Sequence, residues 1–237
     1  MKGLFILFSL YSLSLCAQST VFNQIVKEDS VNYFEKRIDY SRIKTDSTAF
    51  VMNNKYTKKN QSFSNIYNVN SLWFQFNDKR RIKISKGFNE LDKLENLIIT
   101  GNSNKTKLYF KSQSGLENLT NFVSQNIVFD SIPEFLYNSK NIESISIYTN
   151  GEFPVNFSKL ASLKKLKRLE LINVSDKKVT MWSDKIYDLN LEYLILYHNT
   201  PVNLDTLKLK NMKTLNCLSL NTKSEDQKKY LEMNYCK

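Results

Sequence analysis

The sequence predicts an α/β solenoid, a curved parallel sheet with one short strand per repeat on its concave side and short helical or irregular segments on its convex side. Three observations carry this. The frame apolar-x-x-apolar-x-apolar-x-x-Asn recurs along the chain, with copies starting at residues 69, 94, 119, 142, 166, 191 and 215. Successive starts differ by 25, 25, 23, 24, 25 and 24 residues, and twenty of the twenty-one apolar slots are apolar, Ser124 being the exception. Within each copy, slots four and six alternate with slots three, five and seven, which is the period of a strand.

The first element lies ahead of the repeats. Met1-Lys2-Gly3 is a short positive start, followed by an apolar or small run from Leu4 to Leu15 and then Cys16-Ala17-Gln18-Ser19. This is the order of a secretory signal peptide, and residues 1–17 are read as one, cleaved after Ala17. The run is too short for the roughly 20 residues a spanning helix needs. Leu15 stands where lipoprotein signals carry Gly, Ala or Ser, which disfavours acylation of Cys16. No other stretch is long and apolar enough to cross a membrane, so the expected location is secreted, periplasmic or on the cell surface.

Residues 18–68 precede the clear repeats. Val31, Phe34 and Ile38 share one helical face behind Ser30 as an N-cap, and Thr48 to Met52 suits a strand. The ends of a stacked array need covers, so this segment is read as an N-terminal cap with room for one degenerate repeat. The repeats occupy 69–222. The best copies are Val69 to Asn77, then Leu94, Leu97, Ile99 and Asn102, then Ile142, Ile145, Ile147 and Asn150, then Leu191, Leu194, Leu196 and Asn199. Residues 223–237 form a C-terminal cap or tail with Tyr230 and Leu231 as anchors.

These copies reproduce L-x-x-L-x-L-x-x-N, and over residues 69 to 222 the chain resembles the leucine-rich repeat family, in a secreted form of bacterial type. Ile132-Pro133-Glu134-Phe135-Leu136 is similar to the I/L-P-x-x-L segment of such repeats. Ile127, Val174 and Lys223 depart from the pattern in the Asn slot. The physical reading is complete without the family. One strand cannot bury its own face, and stacking seven at about 4.8 Å gives a sheet about 30 Å long over a continuous core. A slot-nine Asn can pair backbone groups left open at the turn and build a ladder along the stack. Between strands, Phe88 to Leu94 and Phe157 to Leu163 have the spacing of a helical or 3₁₀ turn.

The register also predicts a binding face. Slots three, five and seven point away from the core, and among them Trp73, Gln75, Ile98, Tyr148, Arg168, Glu170, Tyr193, Ile195 and Tyr197 are the candidate binding residues. Tyr, Trp and Arg bring much contact area at low entropy cost, which suits recognition of a protein or peptide. Stacking of the same rings across strands is the competing structural role. Cys217 and Cys236 remain after cleavage, and their separation of nineteen residues allows a disulfide that ties down the tail without requiring one.

Composition bounds the chemistry. With 237 residues, 41% hydrophobic and 24% charged, the chain can pack an ordinary core. Five Gly and three Pro leave little for Gly-rich phosphate loops. His198 is the single histidine, no G-x-S-x-G motif occurs, and the carboxylate pairs Glu90/Asp92 and Asp184/Asp188 sit in connecting segments. The expectation is a protein that is not an enzyme and needs no metal or cofactor. Lys and Arg number 34 against 23 Asp and Glu, a net charge of +11. Clusters such as Lys79-Arg80-Arg81-Ile82-Lys83 and Lys164-Lys165-Leu166-Lys167-Arg168 fall mainly at edges and on the convex side. They give the alternative function: binding an anionic glycan or envelope surface. Secretion argues against nucleic acid.

Overall fold

Leu72, Phe74 and Phe76 alternate with Ser71, Trp73 and Gln75, and the chain extends into a strand that buries the first set and leaves the second half-covered. The same alternation lays down most of the molecule. The computed structural model describes residues 48–52, 68–76, 81–84, 86–101, 106–149, 155–173, 183–198, 202 and 204–220. All belong to one compact unit, Tyr40–Lys237; a second unit, Met1–Asp39, lies outside the described residues. So do the expected signal segment, the helical face of Val31, Phe34 and Ile38, the C-terminal tail and Cys236.

Eleven strands are described: β1 Thr48–Met52, β2 Ser71–Phe76, β3 Arg81–Ile84, β4 Asn96–Gly101, β5 Thr106–Phe110, β6 Asn121–Gln125, β7 Ile127–Val128, β8 Ser144–Thr149, β9 Arg168–Asn173, β10 Tyr193–His198 and β11 Cys217–Leu220. They form two sheets in an α/β chain. The larger has eight parallel strands in the order β1-β2-β4-β6-β8-β9-β10-β11. Register is kept throughout: Thr48, Ser71, Asn96, Asn121, Ser144, Arg168, Tyr193 and Cys217 stand side by side. β1 is the strand that the sequence places at Thr48 to Met52.

Backbone bonds tie neighbouring strands at their start. Asn70 O accepts from Glu95 N and Asn96 N, Glu95 O from Thr120 N and Asn121 N, and Thr120 O from Glu143 N and Ser144 N. Glu143 O, Lys167 O and Glu192 O each accept two N–H groups in the same way, all at 2.8 to 3.0 Å. A carbonyl has two lone pairs, so one acceptor satisfies two donors that the strand ladder would otherwise leave open.

The Asn ladder expected at slot nine falls on Asn77, Asn102, Asn150 and Asn199, which lie outside the described residues. A different polar ladder is described one residue ahead of each copy. Asn118 Nδ2 donates to Asp92 O and Asn141 Nδ2 to Glu117 O, both at 2.6 Å. Lys93 donates to Asn68, Lys165 to Asn141 and Thr214 to Asn190, at 2.9, 2.7 and 3.1 Å. The position carries Asn four times in seven copies, a signal equal to that at slot nine.

The return segments depart from expectation in one respect. The sequence predicts helical or 3₁₀ turns there, and these occur: 3₁₀ turns over Lys86–Glu90 and Asp184–Asp188, and α1 Glu134–Asn138, α2 Phe157–Leu160 and α3 Thr206–Lys210. Three early returns contain strands as well, two of them ahead of the 3₁₀ turn Lys86–Glu90 and α1, and β3, β5 and β7 pair in parallel as a second sheet. Its inward residues Ile82, Ile84, Leu108 and Ile127 are buried. The alternation of Arg81-Ile82-Lys83-Ile84 carries this strand; its overlap with a basic run masks it as a solvated loop.

The core lies between the inner face of the large sheet and these returns. Phe122 on β6 meets Phe135 of α1 at 6.0 Å between ring centroids, and Phe135 meets Phe110 on β5 at 4.6 Å and Phe88 at 5.3 Å. Each buried ring or Leu contributes about 1.5–3 kcal/mol relative to exposure. Ser124, the one polar residue in an apolar slot, is fully buried with no hydrogen-bond partner for its Oγ among the described residues. After it the chain turns sharply: Asn126 has φ 57°, a left-handed conformation that Asn tolerates. Its carbonyl presses on β4 so closely that a Cβ at Gly101 would lie 2.5 Å from it.

Candidate functional site

The outer face of the large sheet carries the residues the sequence assigns to a partner. Row three runs Ser71, Asn96, Asn121, Ser144, Arg168 and Tyr193, row five begins at Trp73, and row seven at Gln75. The face has two chemically distinct parts.

Over β2, β4 and β6 the face is neutral and amide-rich. Asn96 Nδ2 donates to Ser71 Oγ at 3.0 Å, and Asn121 Nδ2 to Asn96 Oδ1 at 2.9 Å. Trp73 stands opposite Ile98, and its Nε1 donates to Thr100 Oγ1 at 2.9 Å, which carries the indole across to β4. Ile98, a candidate contact, is consequently buried at 2% exposure. It belongs to this face as predicted but offers no surface. Gln75 is half-buried here.

Over β8, β9 and β10 the face is charged and aromatic. Glu170 has only 1% of its surface exposed, so it is corrected from a contact residue to an organising one. Both its carboxylate oxygens are engaged. Tyr148 OH donates to Oε2 at 2.5 Å, and Arg168 Nε donates to Oε1 at 2.6 Å, with Arg168 Nη2 on the same oxygen. The Arg168 guanidinium lies 5.2 Å from the centroid of the Tyr193 ring. A buried carboxylate costs several kcal/mol unless paired and hydrogen-bonded, and here it is both. The chain Tyr148, Glu170, Arg168, Tyr193 therefore fixes three large side chains across three strands. Tyr193 is the most open, at 37% exposure, with Ile195 half-buried beside it.

Tyr197 shares a hydrogen bond of 2.6 Å with Ser219 Oγ on the last strand. Slots three and five of that strand, expected to face a partner, are covered: Cys217 is 5% and Ser219 4% exposed. Cys217 is disulfide-bonded, while Cys236 lies outside the described residues. Being in slot three, Cys217 stands beside Tyr193 in the register of the large sheet.

Other expected groups are dispersed. Asp184 pairs with Lys208 at 2.7 Å and Asp188 with Lys185 at 2.9 Å, both at the surface. The side chain of His198 is outside the described residues; its backbone ends β10 beside Asn173. Among the described residues, no three His, Cys, Asp or Glu side chains gather to hold a metal, and no helix is long and apolar enough to cross a membrane.

Two clusters on the return side were not foreseen. Around α1 and α2 lies a hollow of about 470 Å³ lined by Glu134, Tyr137, Asn156, Phe157 and Lys159 among others. Lys159 bonds Glu134 at 2.5 Å and stands 5.3 Å from the Tyr137 ring centroid. Burial pushes the Tyr137 hydroxyl up to about 12, against the bond it accepts from Asn156 N. On the second sheet, Asp130 is held below the usual carboxylate range by the Tyr109 hydroxyl first, and by Lys107, 3.5 Å away. No protein-family model matches this chain, and no curated protein is significantly similar to it.

Proposed function

We propose that this protein is a secreted, non-catalytic leucine-rich repeat scaffold that binds a protein or peptide on the outer, concave face of its large sheet. Eight strands in constant register at intervals of 23 to 25 residues support the solenoid reading. The signal-like segment at residues 1–17 supports secretion. One observation carries the binding reading: a buried carboxylate on an outward face, committed to holding Tyr148 and Arg168 in place beside an exposed Tyr193. A sheet needs no such device to stay folded. Side chains fixed before contact lose less entropy on binding, typically about 0.5–1.5 kcal/mol less for each.

The test is capture of partners from the native extracellular milieu by the full secreted chain. Replacing Tyr193 and Ile195 with Ala leaves the Glu170 bonds intact and is expected to lower capture of a specific protein about tenfold or more, as loss of central aromatic contacts does. Capture unchanged in that variant, and in a second one with Trp73 and Tyr197 also replaced, overturns the reading.

A further inference from the structure

We propose that the outward face of the second sheet is a separate binding site for an anionic polysaccharide, carboxylated or sulfated. The sequence scatters its positive charge; pairing of β3 with β5 gathers part of it. Arg81 stands beside Lys107, and Lys83 beside Tyr109. Lys111 continues the outward row past Tyr109, its N–H bonded to Ile84 O so that the ladder extends beyond the strand. Outward residues lie roughly 7 Å apart along a strand and about 4.8 Å apart across strands, so four cations share a patch little wider than a sugar chain.

The charges on this patch are available. Arg81, Lys83 and Lys111 are exposed. Among the described residues, Lys107 alone of the four has a carboxylate within ion-pair distance, Asp130 at 3.5 Å. Among the described residues, Lys83 and Lys111 thus have no carboxylate partner, and Arg81 shares Asp130 with Lys107 at longer range, an excess of positive charge with a repulsive cost that an anionic ligand removes. The Arg81 guanidinium lies 5.5 Å from the Tyr109 ring centroid. Stacked there, it keeps an N–H edge for two parallel bonds to a carboxylate or sulfate.

The surroundings favour a sugar chain over other polyanions. Tyr193 and Leu207 are the exposed large hydrophobic residues among those described, and neither is on this sheet, so its described residues offer no apolar side chain for insertion into a lipid surface. Among the described residues, Tyr109 is the sole aromatic on the face; it is half-buried and already stacked by Arg81, which removes the platform single-stranded nucleic acid needs. Asp130 adds an acceptor amid the cations. A carboxylate there accepts bonds from sugar hydroxyls, donors that the backbone of duplex DNA does not carry.

The experiment measures binding of the full secreted chain to immobilised heparin and polygalacturonate across a salt series. The triple variant Arg81→Gln, Lys83→Gln, Lys111→Gln is expected to bind at least about tenfold more weakly, with the slope of log affinity against log salt reduced by about one per lost contact. A matched variant, Lys140→Gln, Lys210→Gln, Lys213→Gln, makes the same charge change at exposed positions elsewhere and is expected to bind as the parent does. Equal loss in both variants reduces the effect to net charge and overturns the proposal. Equal or tighter binding to duplex DNA, or to vesicles of anionic phospholipid, overturns the polysaccharide assignment. The site is independent of the outer face of the large sheet, so Tyr193→Ala with Ile195→Ala leaves heparin binding unchanged, and each reading can fail alone.

Discussion

The halves of the molecule before and after β8 solve one packing problem differently. In the first half the returns after β2, β4 and β6 each add a strand to the second sheet, with the 3₁₀ turn Lys86–Glu90 and α1 following β3 and β7, and the space between the two sheets is filled by rings: Phe74, Phe76, Phe88, Phe122 and Phe129 are all buried. In the second it returns through short capped helices, with Asn156 and Asp205 accepting from the first-turn N–H groups of α2 and α3. The core there is aliphatic, built on Leu160, Leu169, Leu194 and Leu209. The outer face divides at the same place, neutral amide bonds before and a charged aromatic network after. A common backbone register therefore does not impose a common surface. The sheet fixes where side chains stand, and residue identity decides whether a stretch of face serves cohesion or recognition.

The sharpest way to break this contrast is to cut each network at one residue. Glu170→Ala removes the carboxylate to which both Arg168 and the Tyr148 hydroxyl are bonded and is expected to cost about 3 kcal/mol. Asn96→Ala removes neutral bonds and is expected to cost about 1 kcal/mol. Urea unfolding of both variants reads the difference, and equal losses would mean that the two parts of the face are held alike.

A second test uses alkaline pH. Tyr137 keeps its proton up to about 12 in the folded chain, against an unfolded value of 10.0. Its contribution is thus fully present below pH 10 and is lost as pH rises toward 12, worth about 2 kcal/mol. The difference in unfolding free energy between the parent and Tyr137→Phe should shrink by that amount between pH 9 and about 11.5. A constant difference would show that burial does not hold the Tyr137 proton above its ordinary range.

An effect of opposite sign is expected in the first half. Ser124→Ala removes a buried hydroxyl without a described partner and should stabilise the chain by about 1 kcal/mol in the same urea assay. A loss of stability would reveal that the Oγ is satisfied in solution.

These contrasts also define what could be read in advance. The strands of the large sheet were legible because slots four and six are apolar in nearly every copy, and even Thr48–Met52 showed a strand's composition. β3 was not, because two outward cations in four residues look like a loop until a neighbouring strand makes them a face. On the outer face, the register placed Tyr148, Arg168 and Tyr193 together correctly. It could not tell that Ile98 and Glu170 would be covered, since burial there depends on how Trp73, Tyr148 and Arg168 lean across strands. Alternation gives direction, and side-chain reach decides access.

The paired N–H bonds at the start of β4, β6, β8, β9, β10 and β11 have a consequence for descent. The six accepting carbonyls belong to Asn70, Glu95, Thr120, Glu143, Lys167 and Glu192, four kinds of residue with different charges. A joint made from main-chain atoms places no filter on the side chain at its own position, so that position can drift. The same joint fits any unit that begins in the same way, which lets a whole unit be duplicated or lost without redesigning its neighbours, while a deletion of one residue inside a unit meets the full resistance of the register.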